Sequence, residues 1–143
     1  MLTKDLTILA NKLQLFKVLY IENDLEIQVS TIQTLKPFFT NIVTASTGKD
    51  SLNIFINNKN EPFDLIITDI NIPIIDGINI SKQIRVINES IPILILSSYN
   101  ESKYLLDCID IGIDGYLSKP LNLDKFLFHM KRIIKTIKSK TDQ

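Results

Sequence analysis

Cysteine and histidine occur once each in this 143-residue chain, at Cys108 and His129. A single cysteine permits no internal disulfide and no cysteine metal cluster, which points to a reducing cytoplasm. An excess of either charge is also missing, since sixteen basic side chains balance sixteen acidic ones. That balance removes the electrostatic basis for non-specific binding to nucleic acid or an anionic membrane, while leaving local patches open. Long hydrophobic runs are lacking too. The richest are of strand length and are broken by Pro73, Asp76 or Pro92, well short of a bilayer span. No basic-then-apolar leader opens the chain, and no internal repeat or low-complexity tract stands out. What is present, 45% hydrophobic and 22% charged residues, is the composition of a globular domain able to bury a core. The expectation is one soluble cytoplasmic domain.

Strand-like and helix-like patterns alternate. Lys17 to Ile21, Asn41 to Ala45, Asp64 to Thr68, Ile91 to Leu96 and Gly115 to Leu117 read as strands, with Pro92 at a strand entrance. Between and after them come helical stripes: Leu25, Val29, Ile32 and Leu35; Leu52, Phe55 and Ile56; Ile80, Ile84 and Ile87; Leu105, Cys108 and Ile109; Phe126, Met130, Ile133 and Ile137. Five such units predict an α/β, doubly wound parallel sheet with right-handed crossovers and helices on both faces. The strongest strands are continuously apolar, as strands covered on both faces are. Residues 1–16 stand outside the alternation. Leu2, Leu6, Leu9 and Leu13 give them the spacing of a short amphipathic helix, either lying on the domain or serving as a dimerising or linking helix.

In an open parallel sheet, reactive groups gather beyond the carboxyl ends of the strands. The stretch FDLIITDINIPIIDG, residues 63–77, carries Asp69 to that edge. Glu22, Asn23 and Asp24 follow the first strand, Ser97 and Ser98 the fourth, and Lys119 the fifth. Clustered oxygens suit a hard divalent cation, and Mg2+ prefers a few carboxylates together with water and phosphate oxygens. Asp69 is placed to act as a carboxylate nucleophile toward phosphorus, with Lys119 offsetting charge on the phosphoryl oxygens and Ser97 donating to them.

In these motifs the sequence resembles the receiver domains of two-component response regulators. The resemblance rests on Glu22-Asn23-Asp24, on Thr68 to Pro73 with Asp76-Gly77, on Leu96-Ser97-Ser98, and on Gly115 to Pro120. It implies a flavodoxin-like (βα)5 fold with strand order 2-1-3-4-5, as in chemotaxis receivers, over residues 17–138. Residues 1–16 are then a helical N-terminal extension and 139–143 a tail. By position, Asp69 matches the phosphoacceptor, Lys119 the phosphoryl-contacting lysine, and Pro120 a proline usually joined to it by a cis bond. Ser97 matches the switch hydroxyl and Tyr116 the aromatic that turns with it. Glu22, Asn23 and Asp69, with the backbone carbonyl of Asn71, match the Mg2+ ligands. The family usually has two adjacent acids after the first strand. Asn23 takes the second place, so weaker Mg2+ binding is expected unless Asp24 moves in.

The resemblance implies a sensor histidine kinase or phosphotransfer protein as donor, and self-phosphorylation and dephosphorylation rather than turnover as an enzyme. Output would pass from the last two helices and the fifth strand, around Lys103, Tyr104, Tyr116 and Lys125, to a downstream protein or attached output domain. A homodimer is also open; direct nucleic-acid or membrane binding is not expected. The alternative is a pseudoreceiver, a protein-interaction module with little or no phosphorylation, which Asn23 favours. A phosphohydrolase of the haloacid dehalogenase type would need an acid where Asn71 stands. Cys108 and His129 read as packing residues, Ser98 and Ser118 as rim residues without a chemical role, and Tyr99 as a modulator of water access. These 143 residues carry no DNA-binding, kinase or cyclase segment, and the expectation is either a stand-alone protein or one piece of a longer regulator.

Overall fold

The computed structural model describes residues 2–98 and 104–141, with side chains described for 4–98 and 104–137. Its elements in chain order are α1 (Leu2–Leu13), β1 (Lys17–Ile21), α2 (Leu25–Leu35), β2 (Asn41–Ala45), α3 (Gly48–Asn57) and β3 (Leu65–Asp69). They continue with α4 (Gly77–Ile87), β4 (Ile93–Ser97), α5 (Leu105–Ile111), β5 (Gly115–Ser118) and α6 (Leu123–Thr141). The strands form one parallel sheet in the order β2-β1-β3-β4-β5. The alternation predicts a doubly wound parallel sheet, and its strand order is the flavodoxin-like one that the resemblance implies.

Each strand's side chains divide between the two faces, and two apolar clusters result. Leu19, Ile21, Ile66, Ile93 and Ile95 pack with α3, α4 and Cys108. Val18, Tyr20, Leu65, Ile67 and Leu94 pack on the other face with Leu35, Phe126, Met130 and Ile133. β3 and β4 are buried at every position, which explains their unbroken apolar sequence. Helix starts are set locally. Asp24, Thr47 and Asp76 cap α2, α3 and α4 by accepting backbone N–H groups of the first turn.

Some helical stripes lie differently from the sequence pattern. In α2 the buried residues are Gln28, Thr31 and Leu35, while Leu25 and Val29 are exposed. The first half of α2 lies against the polar rim of the sheet, where Gln28 Nε2 donates to Glu22 O at 3.1 Å, so its apolar stripe turns outward. In α5 only Cys108 of the expected stripe is buried; Leu105 and Ile109 are exposed. Ile56, Ile87 and Ile137, near the ends of α3, α4 and α6, are also exposed. Among the described residues, no helix is long and apolar enough to cross a membrane.

Candidate functional site

Strand register brings the predicted residues together. Ile21 pairs with Thr68, Asp69 with Leu96, and Leu96 with Leu117, so Glu22 follows β1 level with Asp69. Lys119 lies two residues past Leu117, on the same face by strand alternation. Its Nζ sits 2.7 Å from Asp69 Oδ2 and 2.8 Å from Glu22 Oε1. Both carboxylates are buried, at 3% and 1% exposure, so the lysine is the cation that neutralises them. The Lys119–Pro120 peptide bond is cis.

Burial, reinforced by the nearby Glu22 charge, raises the pKa of Asp69 above the usual carboxylate value even though the Lys119 ammonium opposes it. For Lys119, burial works against the charged form, but hydrogen bonds to Asp69 and Glu22 outweigh it and the pKa is raised. A backbone hydrogen bond from Asn71 also lowers the Asp69 value, though less than Lys119 does.

The loop after β3 is held tightly to the strand end. Gly77 N–H donates to Ile70 O at 2.9 Å. A Cβ at residue 77 would stand 2.1 Å from the Asp69 carbonyl oxygen and 2.9 Å from its carbon, so only glycine fits beneath the aspartate. Ile74 in this loop is fully exposed with φ of 72°, an unusual conformation for a β-branched residue.

The remaining rim residues divide by role. Asn23 is exposed, and its Nδ2 donates to Ser46 O at 3.0 Å, tying the loop after β1 to that after β2. Asp24 caps α2: its Oδ1 accepts from the N–H groups of Glu26 at 2.9 Å and Ile27 at 3.1 Å. Drawing Asp24 toward a cation would break that cap, at a cost of about 1 kcal/mol. Asn71 is exposed at the rim, just past Asp69 and Ile70. On the opposite face, the Tyr116 hydroxyl donates to Ser97 Oγ at 2.7 Å, and Ser97 Oγ donates to Ser98 O at 2.9 Å. Ser97 is buried and Tyr116 half-buried. Tyr99 and Lys103 lie outside the described residues; Tyr104 is half-buried and Lys125 exposed.

The donor set suits Mg2+. Glu22 and Asp69 present two buried carboxylates side by side, and Mg2+ accepts a few such protein oxygens together with water and phosphate. Among the described residues, no three His, Cys, Asp or Glu side chains converge as a denser cage.

Sequence reasoning missed Tyr20, Gln28 and the close approach at Gly77. Tyr20 is fully buried on the face that carries the carboxylates, and burial first, then the charges of Glu22, Asp69 and Asp24, pushes its ionisation well up. An aromatic within a buried strand two residues before an acid was the available signal. Cys108 is a buried filler whose thiol is pushed up by burial and then by Asp107. His129 is half-buried against Gly115, and its pKa is lowered by burial and then by Arg132.

The model of the family described as "Response regulator receiver domain" matches residues 18–131. Among curated proteins, the chain is similar to response regulator MprA of Mycobacterium sp. (strain KMS), at 25% identity over 119 residues. The match covers 83% of this chain and 50% of that protein. The chain thus spans about half the length of that relative. Among solved structures, it superposes on a receiver domain protein from Clostridium thermocellum with a TM-score of 0.79 at 24% identity. That match covers 87% of this chain and 98% of the other. It also superposes on the chemotaxis response regulator CheY4 of Vibrio cholerae with a TM-score of 0.69 at 27% identity, covering 82% and 98%.

Proposed function

Because this chain belongs to the response regulator receiver family, we propose that it is a phosphorylation-dependent signalling receiver with Asp69 as the phosphoacceptor. The observation that carries this is the Lys119 ammonium bridging two buried carboxylates at the end of the sheet. A carboxylate oxygen of Asp69 attacks phosphorus in a phosphohistidine of a sensor kinase or phosphotransfer protein. The P–N bond breaks, the imidazole departs with its electron pair and takes up a proton, and an acyl phosphate remains on Asp69. Receiver domains generally bind Mg2+ at this site, and when bound it supplies positive charge for the phosphoryl oxygens. Glu22, Asp69, the amide oxygen of Asn23 and the Asn71 carbonyl would hold it, with Asp24 remaining on its cap. Lys119, released from Asp69 as that carboxylate is phosphorylated, turns its ammonium to the new phosphoryl oxygens.

Ser97 is the second donor to the phosphoryl group. To reach it, the serine must give up its bond to Ser98 O, and the Tyr116 hydroxyl that now donates to it must follow or let go. The Ser97–Tyr116 pair thereby couples the site to the surface formed by α5, β5 and α6, biasing an existing two-state equilibrium. That surface signals to a downstream protein or an attached output domain in the cytoplasm. The chain processes only its own phosphoryl group and is not a turnover enzyme.

The pseudoreceiver is the second reading, favoured by one observation: Asn23 stands where the second of two adjacent acids usually does, and its amide is tied to Ser46. Intact mass after incubation with acetyl phosphate and Mg2+, repeated on Asp69→Asn, separates the two. A labile gain of one phosphoryl group, absent from the variant, is expected. No gain at saturating Mg2+ would establish the pseudoreceiver instead.

A further inference from the structure

Helix α1 lies alongside α6. Leu13 is fully buried with Phe126, Met130 and Ile133, and Leu9 and Ala10 pack against the same cluster. α1 leads through residues 14–16 into the start of β1, whereas α6 departs from the end of β5, so both helices run toward the edge where the strands begin. The two are therefore parallel. Between them is a groove of about 700 Å³, with Ile8, Leu9, Leu127, Phe128 and Ile134 along its length. Ile8 is 48% exposed and Phe128 62%, so large apolar side chains are left in water.

Charges on this groove are sorted by end. Asp5 and Asp124 lie in the first turns of the two helices, while Lys12 lies in the last turn of α1 and Lys131 and Lys135 about two and three turns further along α6 than Asp124. On α1, Asp5 and Lys12 are seven residues apart, two turns along one stripe, with Ile8 between them.

We propose that a second copy of this chain covers the groove in a two-fold dimer, with α1 antiparallel to α1 of the other copy. A two-fold contact demands a patch complementary to itself after a half-turn. With the axis lying across the helices, Asp5 meets Lys12 of the other copy, and Asp124 meets its Lys131 and Lys135. With the axis along the helices, acid would meet acid and base would meet base. The sorting selects the first arrangement. A ligand of uniform charge would be drawn to one end of the groove and repelled at the other. Burial of Ile8 and Phe128 supplies the attraction, and the end charges set the orientation. None of these residues belongs to the carboxylate rim, so the dimer does not require a phosphorylated Asp69.

Sedimentation equilibrium of the full chain, without Mg2+ or phosphodonor, tests this. A reversible dimer is expected. Ile8→Glu should weaken it by more than about tenfold, and Asp5→Lys or Lys12→Asp alone by about tenfold, since each reversal spoils two symmetry-related contacts. The Asp5→Lys/Lys12→Asp double variant should recover to within about threefold of the original affinity. All three positions are exposed, and unchanged circular dichroism melts would show that the variants fold. A monomer up to about 1 mM, a dimer indifferent to Ile8→Glu, or a double variant as weak as the singles would each overturn the proposal.

Discussion

Replacing Lys119 with methionine keeps an unbranched side chain of similar length and deletes the charge that holds Asp69 and Glu22 together. Both carboxylates are nearly inaccessible, and Nζ is 2.7 and 2.8 Å from their oxygens. Breaking a buried ion pair by removing one partner costs about 3–5 kcal/mol, because an uncompensated charge stays behind. The lysine side chain keeps 16% exposure, and water can reach the vacated space, so the lower end applies, about 3 kcal/mol. A domain stable by about 5–15 kcal/mol would still fold. With a urea m-value of about 1–3 kcal/mol/M, the midpoint should fall by roughly 1–3 M.

The pH dependence has a definite sign. Asp69 already has a raised pKa, and its hydrogen bond to Lys119 is the main influence opposing the rise, so the variant raises it further. The folded state then binds the proton more tightly than the unfolded chain. Stability from this group is full below the unfolded value near 3.8 and is lost as pH climbs through the folded value. The deficit relative to wild type should therefore be small near pH 4 and largest at neutrality. Mg2+ in hundredfold excess over its Kd should restore about 2.7 kcal/mol by mass action. The assay is urea unfolding followed by far-UV circular dichroism, across pH and with or without Mg2+. A midpoint loss under about 0.3 M at neutral pH, or an equal loss in acid, would refute the idea that Lys119 neutralises the pair.

Three further outcomes are expected. Asn23→Asp should tighten Mg2+ binding by roughly tenfold, since it adds a charged ligand, while losing the bond to Ser46 and about 1 kcal/mol of metal-free stability; equal affinities by titration calorimetry would contradict the ligand set. Gly77→Ala should cost about 2–3 kcal/mol in thermal unfolding, because the new methyl meets the Asp69 backbone rather than a side chain that can yield, and a change under about 0.5 kcal/mol would mean the loop has room. Tyr116→Phe should lose about 1 kcal/mol by removing the 2.7 Å bond to Ser97 while leaving Asp69 labelling by acetyl phosphate intact; unchanged stability would show that bond to be dispensable.

Strand positions were legible because a strand buried on both faces needs an uninterrupted apolar sequence, and β3 and β4 obey this at every residue. Boundaries moved by one or two residues: β4 runs Ile93–Ser97 rather than from Ile91, and β3 runs Leu65–Asp69 rather than from Asp64, whose carboxylate instead accepts from Lys17 N at 2.8 Å. Helical stripes were less dependable. In α2 the first half of the apolar repeat, Leu25 and Val29, points outward while Leu35 is buried, because that half of the helix lies over polar groups that Gln28 satisfies better than Val29 could. Periodicity identifies a helix but does not say which neighbour it meets.

The sequence by itself determined where the chemistry sits. Acids, a hydroxyl and a lysine end successive parallel strands, and the alternation of strands and helices forces those ends to one edge. Only the tertiary structure decided how they divide the work. It gave Lys119 to both Glu22 and Asp69, committed Asp24 to a helix cap, and joined Tyr116 to Ser97 across two strands. Those assignments turn on a few tenths of an ångström between groups far apart in the chain. Local sequence sets local backbone preference, whereas such contacts arise from register and close packing between elements.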